Sequence, residues 1–328
     1  TDESIMIQCG KKLESDTSDA ERIQRAIDSS SMGDIIKFPS ENVIIDKTIN
    51  LKPYRNYLGA GWGTTIKAAD NANLAEMISL PHTANNYRTI IDGIMLDGNK
   101  DNNGATTGLY IGSLVNGIIR NVFTIYCGGT GIYMNGQDKF RSNTTNIINC
   151  RANSCNGYGL YISEYCEDMH VLQGDYGSNK LDGIHLKSPS SSIRDVTVWG
   201  NMQNGIYVDA NAVSGQIWNS QIEGNAQIGL FLNASFFYVC GNKIYDNANI
   251  PDNYGKFDGI YVNAYEAYKD SPIEGISIIG NKVYSGLYDN TGIQRFALSI
   301  DKYHKNFSIY ANDFFYQGNG SIDKTKFR

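Results

Sequence analysis

The chain is poor in the features that mark the commonest alternatives to a plain folded scaffold. Among 328 residues there is no clustered run of lysine and arginine, and the 28 basic residues are outweighed by 34 acidic ones, a net charge of −6. A nucleic-acid partner, which needs a basic face, is not expected. No apolar stretch approaches the ~18 residues of a membrane span, so membrane insertion is not expected. Six cysteines occur, none in a CxxC pair. They read as buried free thiols rather than a disulfide framework. The four histidines (His82, His170, His185, His304) show no metal-ligand spacing. There is no GxxxxGK[ST] phosphate loop and no GxSxG nucleophile elbow, and Gly59-Ala60-Gly61-Trp62-Gly63 lacks the βαβ context of a dinucleotide site. Asp97-Gly98-Asn99-Lys100-Asp101-Asn102-Asn103-Gly104 has the look of half a calcium loop, but Asn102 stands where the loop needs glycine and Gly108 where it needs glutamate. It reads as an ordinary turn. Neither a metal nor another cofactor is expected.

What the chain has instead is a repeated phrase. It begins with glycine, places two aliphatic residues around an outward one, and ends on a small or polar residue. The copies are Gly108-Leu109-Tyr110-Ile111-Gly112, Gly131-Ile132-Tyr133-Met134-Asn135, Gly159-Leu160-Tyr161-Ile162-Ser163, Gly183-Ile184-His185-Leu186-Lys187, Gly205-Ile206-Tyr207-Val208-Asp209, Gly229-Leu230-Phe231-Leu232-Asn233 and Gly259-Ile260-Tyr261-Val262-Asn263. Successive glycines are 23, 28, 24, 22, 24 and 30 residues apart. Alternation with period 2 is a strand signal, and a repeat of this length means a stacked solenoid. A second apolar strand follows each phrase, as in Ile193–Val198 and Gln216–Ile222, and Gly-Asn pairs at 200–201, 224–225, 241–242 and 280–281 mark tight corners. Propeller blades need about 40 residues, and a leucine-rich consensus is absent. The fold class is therefore all-β: a parallel β-helix, right-handed by the general crossover preference. Aligned rungs would stack the outward Tyr, His and Phe residues in a column at roughly 4.8 Å spacing.

The start of the chain differs. Residues 17–30 read as a helix capped by Thr17 or Ser18, with Asp19 and Glu21 at its positive end and Ile23, Ala26 and Ile27 on one apolar face. A solenoid end exposes open core and strand edges, and this helix is placed to cover them. The expected organisation is an N-terminal cap over 1–45, β-helix coils over 46–315, and an end segment over 316–328. Thr1 in place of methionine and the lack of a terminal cap at 324–328 lead us to expect that the natural protein continues.

Chemistry on such a scaffold sits on outward faces. The aligned phrases depart from their own pattern on the fourth and fifth copies. His185 replaces an aromatic, and Lys187 and Asp209 replace small polar residues. Asp182 precedes phrase four, and Glu164 and Glu167 follow phrase three. Equivalent positions lie ~4.8 Å apart on adjacent rungs and ~10 Å apart on alternate ones. Carboxylates roughly 5–10 Å apart suit glycoside hydrolysis. Glu164 and Asp209, two rungs apart, would favour inversion. His185 could act as a base or bind phosphate, and Lys187 would keep a neighbouring carboxylate ionised. Glu164, His185, Asp209 and Asp182 are the candidate catalytic residues. Lys187, Tyr161, Tyr207, Glu167, Tyr265 and Tyr268 are the candidate substrate contacts, the last two on the excursion 264–272. Insertions are expected at 137–143 and 248–256. The outward aromatics suit either stacking on sugar rings or burial between subunits.

The motifs Ser18-Asp19-Ala20-Glu21-Arg22-Ile23-Gln24-Arg25-Ala26-Ile27-Asp28, Ile35-Ile36-Lys37-Phe38-Pro39-Ser40 and Leu58-Gly59-Ala60-Gly61-Trp62-Gly63-Thr64-Thr65-Ile66 together resemble the entry of pectate-lyase-like β-helix proteins. That superfamily includes pectinases, alginate-modifying enzymes and phage tailspike depolymerases. The motifs span 16–66, and the coil pattern carries the resemblance to about residue 315. The Asp-Phe-Gly-Ala-x-Gly-Asp-Gly opening common in the superfamily is replaced by Ser4-Ile5-Met6-Ile7-Gln8-Cys9-Gly10. In composition the chain looks most like the tailspike appendage proteins of small Bacillus podophages. The resemblance implies a homotrimer on the virion, or a secreted protein, that binds and degrades a host surface glycan or wall teichoic acid. It equally admits a non-catalytic adhesion spike, a structural fibre segment, or a lyase or epimerase of the same fold.

Overall fold

The computed structural model describes residues 5–82, 86–264, 269–286 and 293–315. The chain is a right-handed parallel β-helix with an N-terminal helix, and it divides into two compact units, Thr1–His170 and Val171–Arg328.

In the first unit the helix runs Asp19–Ser29 behind Ser18. Ser18 Oγ accepts from the Ala20 N–H at 3.2 Å, and Glu21 Oε2 accepts from the Ser18 N–H at 3.1 Å, a reciprocal cap that satisfies otherwise orphaned helix donors. Ile23 and Ile27 are fully buried. The helix packs on the strands Asn42–Ile45 and Ile49–Asn50. Its side chains bind exposed strand-edge amides: Ile44 N–H donates to Asp19 and Asn50 N–H to Gln24 Oε1. The expected capping role is thus carried by specific bonds as well as apolar cover.

The phrase strands of this unit stack in parallel with Ile49, Ile78, Leu109, Ile132 and Leu160 in register. Ile49–Asn50 and Glu76–Leu80 are rungs that lack the leading glycine, so aligning glycines did not find them. The glycines themselves serve close approach. A Cβ on Gly108 would lie 2.7 Å from the Gly131 carbonyl oxygen, and one on Gly131 would lie 2.8 Å from that of Gly159. Side chains are excluded there because the next coil's backbone occupies the space.

The second unit repeats the scheme, with Ile184, Ile206, Leu230, Ile260 and Leu298 in register. All five are fully buried. The second strand of each coil is split: Ser192–Arg194 and Thr197–Trp199, for example, are parted by Asp195 at φ 57°. The Gly-Asn pairs divide their labour in a way the sequence did not suggest. Gly200, Gly224, Gly241 and Gly280 take the left-handed conformation, whereas the asparagines are buried and bond to one another along the stack. Asn179, Asn201 and Asn225 each donate from Nδ2 to the next asparagine's Oδ1 at 2.8–2.9 Å, ending at Asn247 and then Gln294. A second ladder joins Asn242, Asn281 and Asn312. These amides satisfy backbone groups at the corners, which would otherwise be costly to bury.

All six cysteines are free thiols, and Cys127, Cys150, Cys155 and Cys166 are buried. Among the described residues, no helix is long and apolar enough to cross a membrane.

Candidate active site

The outward positions form the expected column in each unit. In the first, His82, Tyr110, Tyr133 and Tyr161 meet edge to face, with centroids 5.7, 5.6 and 4.9 Å apart. Burial pushes the Tyr133 phenol up to about 12, so it is a protonated donor at neutral pH. Tyr161 also touches Tyr158 at 5.2 Å. Glu164 is exposed, one residue past Ser163. Glu167 sits on the short strand Cys166–Glu167, and Arg141 Nη1 lies 3.8 Å from its carboxylate. Glu167 is thus tied to the insertion at 137–143, where an antiparallel bridge joins Gln137 and Phe140.

In the second unit the rings of His185, Tyr207 and Phe231 lie nearly parallel, 4.7 and 4.6 Å apart, and Tyr261 meets Phe231 edge-on at 5.3 Å. The His185 side chain is only 11% accessible. It is outward in register but covered. Asp182, three residues earlier and 2% exposed, holds it in place. Asp182 Oδ2 lies 2.9 Å from His185 Nδ1, while Oδ1 accepts from the backbone and side-chain amides of Asn204 at 3.0 and 2.9 Å. A carboxylate can only accept, so Nδ1 is the protonated nitrogen, and Nε2 carries the lone pair whenever the ring is neutral.

Asp209 closes the next strand. Its N–H donates to Leu186 O at 2.8 Å, so Asp209 lies beside the end of the His185 strand, where Lys187 follows Leu186. Its Oδ1 accepts from the Asn211 N–H and Nδ2, both at 3.2 Å. Of the candidates, then, Asp182, His185 and Tyr207 are in contact in that order in the second unit, with Lys187 and Asp209 at the ends of the same two adjacent strands, while Glu164, Glu167 and Tyr161 belong to the first. Tyr265 and Tyr268 lie outside the described residues. The Asp97–Gly104 segment is a turn tied by its own bonds, including Asn99 N–H to Asp97 Oδ1 at 2.9 Å. Among the described residues, no group of three or more His, Cys, Asp or Glu is placed to hold a metal ion.

Two concave sites escaped the sequence reading. In the first unit a cavity of about 610 Å³ is bordered by Tyr54, Tyr87 and Arg88, the two tyrosines stacked 6.1 Å apart. In the second, a cavity of about 290 Å³ is lined by Asp258, Tyr261, Arg295 and Asp301 among others. Asp258 was legible in principle, since it precedes Gly259 as Asp182 precedes Gly183.

No protein-family model matches the chain, and no curated protein matches it in sequence. Solved structures do match in fold. The A-module of the Azotobacter vinelandii mannuronan C-5 epimerase AlgE4 aligns at a TM-score of 0.71 and 16% identity, over 93% of this chain and 96% of that one. The tailspike of Escherichia coli bacteriophage HK620, solved with a pentasaccharide, aligns at 0.59 and 13%, over 90% of this chain and 63% of the tailspike. The endo-xylogalacturonan hydrolase of Aspergillus tubingensis aligns at 0.58 and 14%, over 94% and 92%. The right-handed β-helix suggested by the entry motifs is thus the fold, shared with epimerases, hydrolases and phage tailspikes.

Proposed function

We propose that the chain is the β-helix of a tailspike-type depolymerase, which binds and cleaves a host cell-surface polysaccharide or teichoic-acid-like polymer. The observation that carries this reading is the buried Asp182–His185 pair stacked on Tyr207 beside Asp209. It combines an imidazole held in one orientation, a stacked aromatic column and a neighbouring carboxylate. Fold neighbours named as a pentasaccharide-bound tailspike and as a hydrolase of a polysaccharide support a glycan as the partner. In the hydrolytic scheme one carboxylate protonates the leaving oxygen and another activates water, and Glu164 in the first unit and Asp209 in the second are the candidates, each within its own unit. Lys187 orients the polymer, and the protein acts from the virion as a homotrimer.

The Asp182–His185 pair also favours a second reading, a polysaccharide lyase or epimerase. There His185 Nε2 would take a proton from the sugar, a task for a positioned base. The test is product release from purified host wall polymer by wild type, Glu164→Gln, Asp209→Asn and His185→Gln. Hydrolysis through either carboxylate predicts new reducing ends that disappear in the variant of the residue that acts. Unsaturated products lost only in His185→Gln would replace hydrolysis with lyase chemistry. Binding with neither products nor any change in sugar configuration would reduce the protein to an adhesion spike.

A further inference from the structure

The smaller cavity, about 290 Å³, lies at the lower edge of the roughly 300–1,000 Å³ typical of small-molecule sites, which leaves room for one or two sugar rings. The rings of Tyr261 and Phe257 form part of its wall. Its polar groups are held in fixed positions. Asp258 is 1% exposed and takes a two-pronged bond from Arg295, Nε to Oδ1 at 2.9 Å and Nη2 to Oδ2 at 2.6 Å. This fork fixes the guanidinium plane and leaves Nη1 without a hydrogen-bond partner among the described residues. Asp301 Oδ2 accepts the Tyr261 phenol at 2.5 Å, and Oδ1 has no such partner there. Tyr261 is thereby a flat wall whose hydroxyl is already committed. Burial and then Asp301 raise its pKa, and the phenol stays protonated.

The open groups are thus one carboxylate oxygen, one guanidinium nitrogen and the exposed ammonium of Lys256, set against aromatic faces. Two cations and two carboxylates cancel. A second anion entering beside Asp301 would meet like charge, with Arg295 already neutralised by Asp258. A ring hydroxyl can both donate to Asp301 and accept from Arg295. We infer that this cavity is a second carbohydrate subsite, built for a neutral pyranose ring presenting adjacent hydroxyls rather than for a uronate or phosphate. It rests on the reading of the chain as a glycan-handling protein, and narrows the polymer to one containing neutral rings.

The test is saturation-transfer NMR on the full 328-residue chain with methyl glucoside, methyl galactoside and N-acetylglucosamine, against glucuronate and glycerol 3-phosphate. At least one neutral ring should bind, and neither anion should bind more tightly. Asp301→Ala should weaken that binding about tenfold, the equivalent of one charge-assisted hydrogen bond. Asp301→Asn should weaken it less, and Lys256→Ala gives a surface change that leaves the fold intact if Asp301 variants melt early. Silence from all three neutral rings, tighter binding of an anion, or unchanged binding in both Asp301→Ala and Lys256→Ala would overturn the inference. Polymer cleavage alongside such silence would leave the depolymerase reading standing. A bound neutral ring with no polymer binding would do the reverse.

Discussion

Replacing Asp182 by asparagine isolates the role of the His185 nitrogen. In the wild type, Asp182 Oδ2 accepts from Nδ1 at 2.9 Å while Oδ1 serves Asn204. An asparagine that keeps its oxygen toward Asn204 turns an NH2 toward Nδ1. Two donors then face each other, and the ring relieves this by moving its proton to Nε2. A charge-assisted bond worth about 1.5–3 kcal/mol becomes a neutral one worth about 0.5–1.5. The expected loss of stability is about 1–2 kcal/mol, measurable by urea denaturation. Function should suffer far more if Nε2 is the working base, since that atom no longer carries a lone pair. Removing a general base costs about 10²–10⁴ in rate. Imidazole 15N shifts report the tautomer directly. A variant that shows the Nε2–H form and still cleaves polymer at the wild-type rate would refute the base role. If His185 is a stacked scaffold residue only, the stability loss appears alone.

Asn225→Ala should cost about 2–5 kcal/mol in denaturant titrations, because it orphans the Asn201 N–H, which donates to Asn225 Oδ1 at 3.0 Å, and breaks the amide ladder on both sides. A loss under 0.5 kcal/mol would mean the ladder is not stabilising. The four buried thiols, Cys127, Cys150, Cys155 and Cys166, should be shielded from reagents in the native state, and burial pushes Cys150 up to about 12 as well. A thiol reagent at pH 7.5 should label the four buried cysteines only after unfolding, and rapid native labelling of Cys150 would contradict the packing. The N-terminal helix cap should weaken in acid. Lys47 and then Thr17 hold Glu21 far below its ordinary value of 4.5, so its contribution is present above the ordinary carboxylate range and is lost as pH falls below it. Amide protection at the helix start, relative to the intrinsic exchange rate at each pH, should fall below about pH 4, and Glu21→Gln should remove that dependence. An acid response unchanged in the variant would assign it to other groups.

How much could be read in advance follows from which forces leave local patterns. Alternation marks every strand whose two sides face core and outside, so the coils from Gly108 onward, the outward column and the helix over Ile23–Ile27 were legible. The leading glycines were legible as a motif, though their reason, a carbonyl of the next coil within 3 Å of the missing Cβ, was not. Ile49 and Ile78 escaped because those rungs carry no such glycine. The buried asparagines were read as left-handed turn residues, a role their preceding glycines fill, because a lone Asn looks the same in a turn and in a ladder. His185 stood out as a substitution in the column. Its bond to Asp182 spans a corner at i and i+3, which nothing in strand periodicity signals. Arg295 lies where the phrase has faded, so its pairing with Asp258, 37 residues earlier, could come only from coordinates.

The most direct measurement of the central claim is the length distribution of purified host wall polymer, followed by size-exclusion chromatography with light scattering, before and after incubation with the intact chain. The account predicts that long polymer gives way to discrete short products with wild type, and that Asp209→Asn leaves it long while still binding it. Polymer that keeps its full length in the presence of bound wild-type protein would contradict cleavage, and polymer that never binds would contradict the account as a whole.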